Sequence, residues 1–131
     1  MRFTILGAPR TLGNHPTMVR RGKMMIRIAP PAYRRWKKLA DSQFLLVKVA
    51  ALGARIALPI RDRVQICALF YRDRESGDLD NYEKGLGDWL QHVGIIGNDR
   101  QIASWDGSRL LKDAARPRIE IEITPFEEAR E

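Results

Sequence analysis

Three carboxylates and a lysine that could do chemistry together lie in one stretch, Gly77 to Ile102, reading GDLDNYEKGLGDWLQHVGIIGNDRQI. Asp78 and Asp80 are two residues apart, so in extended backbone they project to the same side while Leu79 points away. Asp80 also stands where a helical pattern begins. Tyr82, Leu86, Trp89, Leu90 and Val93 form one apolar face, Glu83 follows Asp80 by three residues, and Gly94 ends the run. An aspartate before a helix is often only a cap, worth about 1 kcal/mol. A second acid at Asp78 is not explained that way, because two like charges held together are unfavourable without a counter-charge. A hard divalent cation with oxygen ligands supplies one, and magnesium takes few carboxylates besides water and substrate phosphate. Asp99, on the loop beyond the helix, is the third carboxylate that could reach the same ion. Lys84 and Asp88 follow Asp80 at four-residue steps on one helical face. They read either as a working lysine with a supporting charge or as surface ion pairs worth about 0.2–0.5 kcal/mol each.

The elements that must hold these groups can be read from pattern. Phe3 to Leu6 suits a first strand, and Met24 to Ile28 a second. Between them Arg10 to Lys23 reads as a loop punctuated by Gly13, Asn14, Pro16 and Gly22. Pro30 and Pro31 open a helix running from Ala32 to about Leu52, with Tyr33, Trp36, Ala40, Phe44 and Val47 on its inner face and Gly53 as its stop. Arg63 to Tyr71 is apolar on both sides, which suits a central strand. A turn at Asp73 to Gly77 leads to the helix of the acidic stretch. Gln101 to Trp105 and Arg118 to Thr124 follow as strands, the last with Ile119, Ile121 and Ile123 inward and a wet opposite face. The tail after Pro125 is expected to fray. The whole of residues 1–131 is expected to be a single α+β domain, a small mixed sheet with two main helices in the order β-β-α-β-α-β-β. Gly85 and Gly87 inside the second helix cost about 1 kcal/mol each relative to alanine; close approach of another backbone, such as a partner subunit's, would account for them.

Charge divides the chain. Up to Arg72 there are 15 Lys and Arg against two acids, and from Asp73 onward 8 against 14, within a net charge of +7. A basic half invites a polyanion through counterion release. Arg10, Arg20, Arg21 and Lys23 in the loop, and Arg34 and Lys38 on the first helix, are the candidate contacts to a DNA backbone; the alternative is a solvated surface. No apolar run approaches the roughly 20 residues of a membrane helix, and the amino terminus lacks the pattern of a signal peptide. One cysteine, Cys67, suits a reducing cytoplasm. It reads as a small buried residue within its strand, not a nucleophile. His15 and His92 are too isolated for a zinc site, and Ser104, Ser108 and Thr124 have no base in a recognisable arrangement. Lys112 and Arg116 read as solvated loop charges, and Trp105 as a packing residue.

The order D-L-D-N, then Lys84, Asp88 and Leu90, then G-I-I-G-N-D-R-Q-I, resembles the RusA family of Holliday junction resolvases. The resemblance is strongest over Asp78 to Ile102. It implies Asp78, Asp80 and Asp99 as Mg²⁺ ligands, with Mn²⁺ able to substitute, and Lys84 as the essential cationic partner. Asn81 and Gln101 match recurrent family positions, whereas Asn98 stands where the family usually has a second acid. The resemblance further implies a cytoplasmic homodimer, bacterial or prophage-borne, that cuts four-way DNA junctions to leave 5′-phosphate and 3′-hydroxyl ends. A nuclease for flaps, forks or RNA, and a basic DNA-binding protein that keeps the fold without turnover, are the alternatives.

Overall fold

The computed structural model describes residues 1–13 and 17–127. Its elements are β1 (Arg2–Leu6), β2 (Thr17–Arg21), β3 (Met24–Ile28), α1 (Pro31–Asp41), α2 (Phe44–Gly53), β4 (Val64–Arg72), α3 (Leu79–His92), a single 3₁₀ turn (Asp99–Gln101), β5 (Ile102–Ser104), β6 (Arg109–Lys112) and β7 (Arg118–Pro125). This is one small α+β domain with a mixed sheet. None of its described helices is long and apolar enough to cross a membrane.

The expected central strand is central. β4 pairs antiparallel with β7 along one edge, and parallel with β5 and then β6 along the other. β1 closes the far side by pairing antiparallel with β7. Alternate side chains of these strands (Phe3, Ile5, Val64, Ile66, Ala68, Phe70, Ile119, Ile121, Ile123) are buried beneath the helices. The opposite face is half-exposed, as the alternation of β7 requires. Cys67 points to this open face and is half-buried rather than buried. Between β5 and β6 the Ser108 hydroxyl accepts from the Ala68 N–H at 2.9 Å, filling a gap in the parallel ladder.

Four expectations are corrected. The segment Arg10 to Lys23 is not all loop: Thr17–Arg21 forms β2, which pairs with β3 in a separate two-stranded hairpin, so β3 does not join β1. A further short strand, β6, adds to the expected set. The tail does not fray at once, since the Phe126 N–H donates to the Arg63 carbonyl at 3.0 Å and the Arg63 guanidinium lies 5.2 Å from the Phe126 ring. Most informative, the long first helix is two. The expected inner face is kept, with Tyr33, Trp36, Ala40 and Val47 buried and Phe44 half-buried, but the helix breaks at Ser42–Gln43. There the Gln43 amide grips the end of β1: Leu6 N–H donates to Oε1 at 2.7 Å, and Nε2 donates to the Leu6 carbonyl at 2.8 Å. The amide thus continues the ladder of a strand that has no neighbour on that side, and helix periodicity cannot report such a bond.

Gln43→Ala removes both bonds. Each nets about 1 kcal/mol, so thermal unfolding should fall by a few degrees while Gln43→Glu, which keeps only the acceptor, falls part of the way.

Candidate functional site

The chain enters the acidic stretch from β4 and turns on Gly77, whose φ of 85° is a left-handed conformation that favours glycine. Asp78 then caps α3 in position only: its backbone is extended and its carboxylate makes no capping hydrogen bond. Asp80 lies in the first turn of the helix, not in extended backbone beside Asp78, so the alternation argument for pairing the two does not apply. Both are exposed to solvent. Acids here are favoured by the helix dipole.

Downstream, Asp80, Glu83, Lys84 and Gly87 run along one side of α3. Together with Asp99, Ile102 and Trp105 they line one cleft of about 260 Å³. Asp78 is not among its walls. Glu83, in sequence only a helix-start signal, is part of the cleft. Its carboxyl is raised above the ordinary range, first by burial and then by the charge of Asp80. Lys84 Nζ is 3.9 Å from Asp80 Oδ2, with both side chains exposed.

The loop carrying Asp99 is held by glutamines. Gln101 uses both ends of its amide: Oε1 accepts from the N–H groups of Gly97 and Asn98, each at 2.8 Å, and Nε2 donates to the carbonyls of Ile60 at 2.7 Å and Asp62 at 2.9 Å. Asn98 caps the 3₁₀ turn, its Oδ1 accepting from Arg100 N–H at 2.9 Å. From α3, Gln91 Oε1 accepts the N–H of Asp99 itself at 2.9 Å. Gln91 is eleven residues beyond Asp80, about 16 Å along the axis at the helical rise. Asp80 and Asp99 line the same cleft from different elements, one from the first turn of α3 and the other from the return loop. Among the described residues no three His, Cys, Asp or Glu side chains stand close enough together to hold an ion as they are. The donor chemistry is nonetheless that of a hard cation, all carboxylate, with Asp80 close enough to penalise the charge of Glu83.

Asp88 departs from the expected row. Its carboxylate turns away from Lys84 to Lys37 Nζ at 3.3 Å and to the Tyr33 hydroxyl at 3.4 Å, which also donates to the Gly85 carbonyl at 2.7 Å. Burial first, and Asp88 second, pushes the Tyr33 phenol well above its ordinary range. The two helix glycines also find their reason within the chain. A Cβ at Gly85 would lie 3.1 Å from Tyr33 and 3.6 Å from the Arg10 carbonyl, and one at Gly87 would lie 3.3 Å from Ile102. Asn81 is half-buried in the first turn of α3.

Of the basic candidates, Arg20, Arg21 and Lys23 are exposed on the β2–β3 hairpin, and Arg34 and Lys38 are exposed on α1. Arg10 is engaged: its guanidinium holds both oxygens of Asp73, at 2.9 and 3.1 Å, and keeps that carboxyl below its ordinary range. His92 ends α3 in an exposed position; His15 lies outside the described residues.

A carboxyl raised by folding costs stability above its pKa and none below the unfolded value. In the absence of divalent cations, Glu83→Gln should therefore melt above wild type at neutral pH. The gap should close as pH falls towards about 4, where the unfolded carboxyl also takes a proton; melts over that range measure it.

No curated protein matches the chain significantly. The family model described as endodeoxyribonuclease RusA matches residues 9–124, most of the chain. The protein therefore belongs to the RusA endodeoxyribonuclease family.

Proposed function

We propose that the protein resolves four-way DNA junctions by paired phosphodiester hydrolysis, as a homodimer dependent on Mg²⁺ or Mn²⁺ in the cytoplasm of a bacterium or prophage host. One observation carries the reading: Asp80 and Lys84 on α3 and Asp99 on the loop beyond it line a single carboxylate-rich cleft in a chain whose other half is basic. A nuclease needs acid where the phosphate is cut and base where it is held.

In this reading Asp78, Asp80 and Asp99 are the ligands, with Asp80 the anchor. When bound, the ion would polarise the scissile phosphate and acidify a water for in-line attack. Asp78 and Asp80 at the N-terminal turn of α3 gather oxygen ligands where the helix dipole stabilises their charge. Lys84 Nζ, within 3.9 Å of Asp80 but exposed, can turn to the phosphate and stabilise the charge that develops there. Asp99 faces the same cleft from the loop set by Gln101 and Gln91. Asn81 and Asp88 support α3, Asp88 through Lys37 and Tyr33. Ile102 and Trp105 give the cleft an apolar wall that limits water. Two strands cut at symmetry-related points are natural work for a two-fold dimer. Arg20, Arg21, Lys23, Arg34 and Lys38 would grip phosphates along the arms. Arg10, tied to Asp73, would act by holding the root of the hairpin.

One other reading is a junction-binding protein without turnover, since among the described residues no three His, Cys, Asp or Glu side chains stand together. Asp80→Asn and Asp99→Asn should each lower Mg²⁺-dependent cutting of a synthetic four-way junction by at least about 100-fold while binding persists. Full cutting by either variant removes that residue from the site, and no product from wild type with Mg²⁺ selects the binding protein. Flap, fork and linear duplex at equal salt rank the branched substrates.

Arg20→Ala, Arg21→Ala and Lys23→Ala combined should weaken junction binding and flatten the slope of log affinity against log salt by about 2–3, near 0.9 for each phosphate no longer neutralised. An unchanged slope places the hairpin away from DNA.

A further inference from the structure

Beside the first turn of α1 lies a pocket of about 250 Å³ walled by three arginines, Arg10, Arg35 and Arg74, together with Ala32 and Trp36. It shares no residue with the cleft of Asp80 and Asp99. The two stand on different sides of α3: a Cβ at Gly85 would meet Tyr33 and the Arg10 carbonyl, whereas one at Gly87 would meet Ile102 and Trp105. The pocket thus has no part in the metal chemistry proposed above.

Three features of this pocket select an anion. The first is charge. Three guanidiniums surround it against one nearby carboxylate, Asp73, which already spans Arg10 and also feels the charge of Arg74. Arg35 and Arg74 are exposed, and no ion pair engages either among the described residues. The second is the helix end. α1 begins after Pro30 with no side-chain cap and no acid in its first turn, so the partial positive charge of its N–H groups is uncompensated. Ala32 brings that turn to the pocket wall. The third is Trp36. It is 4 % exposed, and its indole N–H is buried without a hydrogen-bond partner. Contacts to the rings of Tyr33, at 5.6 Å, and Trp89, at 6.0 Å, hold it in place. An indole nitrogen donates and cannot accept. What completes it must therefore be an acceptor, and buried donors are rarely left without one.

A water would serve the indole and leave the guanidinium charges unmet. A phosphate group has oxygens enough for two arginine forks and the indole at once, and the planar fork suits its geometry. The volume is several times the roughly 30 Å³ that one water occupies.

We infer that this pocket is a phosphate site separate from the acidic cleft, formed by Arg35, Arg74, the first turn of α1 and the Trp36 indole, and that it takes one phosphate of the DNA backbone. Free phosphate presents similar oxygens. The backbone is favoured because Arg74 lies on the turn between β4 and the acids, and Arg10 on the segment leading to the basic hairpin. That choice of source rests on the nuclease reading; the preference of the pocket for phosphate does not.

The test is NMR of the ¹⁵N-labelled full chain without divalent cations, following its three indole N–H signals. Loss of one signal in Trp36→Phe identifies that of Trp36; should this variant misfold, resonance assignment of wild type identifies it. Inorganic phosphate should shift the Trp36 signal saturably, and sodium chloride at equal ionic strength should not. Arg35→Gln with Arg74→Gln should abolish the response, while Arg34→Gln, outside the pocket, should keep it. A short linear duplex should move the same signal. The double variant should also lower the slope of log junction affinity against log salt by about 1, the value for one phosphate. No saturable shift with either phosphate or DNA overturns the site, as does a response that survives in the double variant. A response to inorganic phosphate alone, with the salt slope unchanged, overturns the DNA backbone as its source. Cutting is read separately: a Trp36 response to DNA that is never cut retires the nuclease and keeps the site.

Discussion

A strand paired in parallel with the one before it in sequence demands a crossover, and the β4–β5 pair is where this chain meets that demand. β4 cannot turn back on itself, because β7 holds its other edge along eight residue pairs. The chain must leave β4, cross the sheet as α3 and return to lie beside Val64 and Gln65. Every group of the candidate cleft is placed by that passage. Asp80, Glu83 and Lys84 ride on the crossover helix, Asp99 on the return, and Ile102 and Trp105 on or just past the returning strand. The buried side of α3, with Tyr82, Leu86, Trp89 and Leu90, fixes its rotation. Trp89 also donates to Asp41 at 2.9 Å, so α1 shares in the fixing. The acids are thus aimed by hydrophobic burial on the opposite side of the same helix.

The return loop has no such core to hold it, and amide chemistry takes over. A glutamine side chain has two acceptor sites and two donors, and Gln101 uses one amide to join its own turn to the Ile60–Asp62 segment. No charged residue could do so: glutamate lacks the donors and lysine the acceptors. Gln91 makes the complementary link to α3. Asn98 occupies the cap of this turn, where an aspartate oxygen would accept the same N–H. Asn98 thus holds the loop geometry through its side-chain oxygen without placing a second charge beside Asp99.

The hydrophobic half of this design is legible in the sequence. Periodicity picks out the buried faces of α1 and α3 and the alternation of β7, because burial leaves its mark at fixed intervals. The resemblance to the family marks Asp78, Asp80, Lys84 and Asp99 as candidates for the same reason of fixed spacing, and three of the four, all but Asp78, line the cleft. What sequence does not carry is pairing between residues far apart along the chain. Gln43 to Leu6 breaks the helix, Asp88 leaves Lys84 for Lys37 and Tyr33, and Glu83 turns from capping residue to cleft wall. Spacing along one helix shows which residues share a side, not which neighbour from another element claims them. The folding back of the return loop is equally hidden: Asp80 and Asp99 share one cleft because Gln91 ties the loop to α3.

The basic half meets the acidic one at a defined place. The backbone of Arg10 and Leu12 runs against α3 at Gly85, where a Cβ would meet the Tyr33 ring at 3.1 Å, and Arg10 is pinned to Asp73 beyond the end of β4. The segment leading to the β2–β3 hairpin therefore starts beside the helix that carries the acids. In the proposed reading, an arm whose root lies beside that helix would bring positive charge towards the acids. Attraction of phosphate to the arm and repulsion of phosphate by the bare carboxylates would then oppose each other. Asp80 and Asp99, if they held a divalent cation as proposed, would lose that repulsion while the arm kept its attraction, so the same acids would then admit the backbone to the cleft.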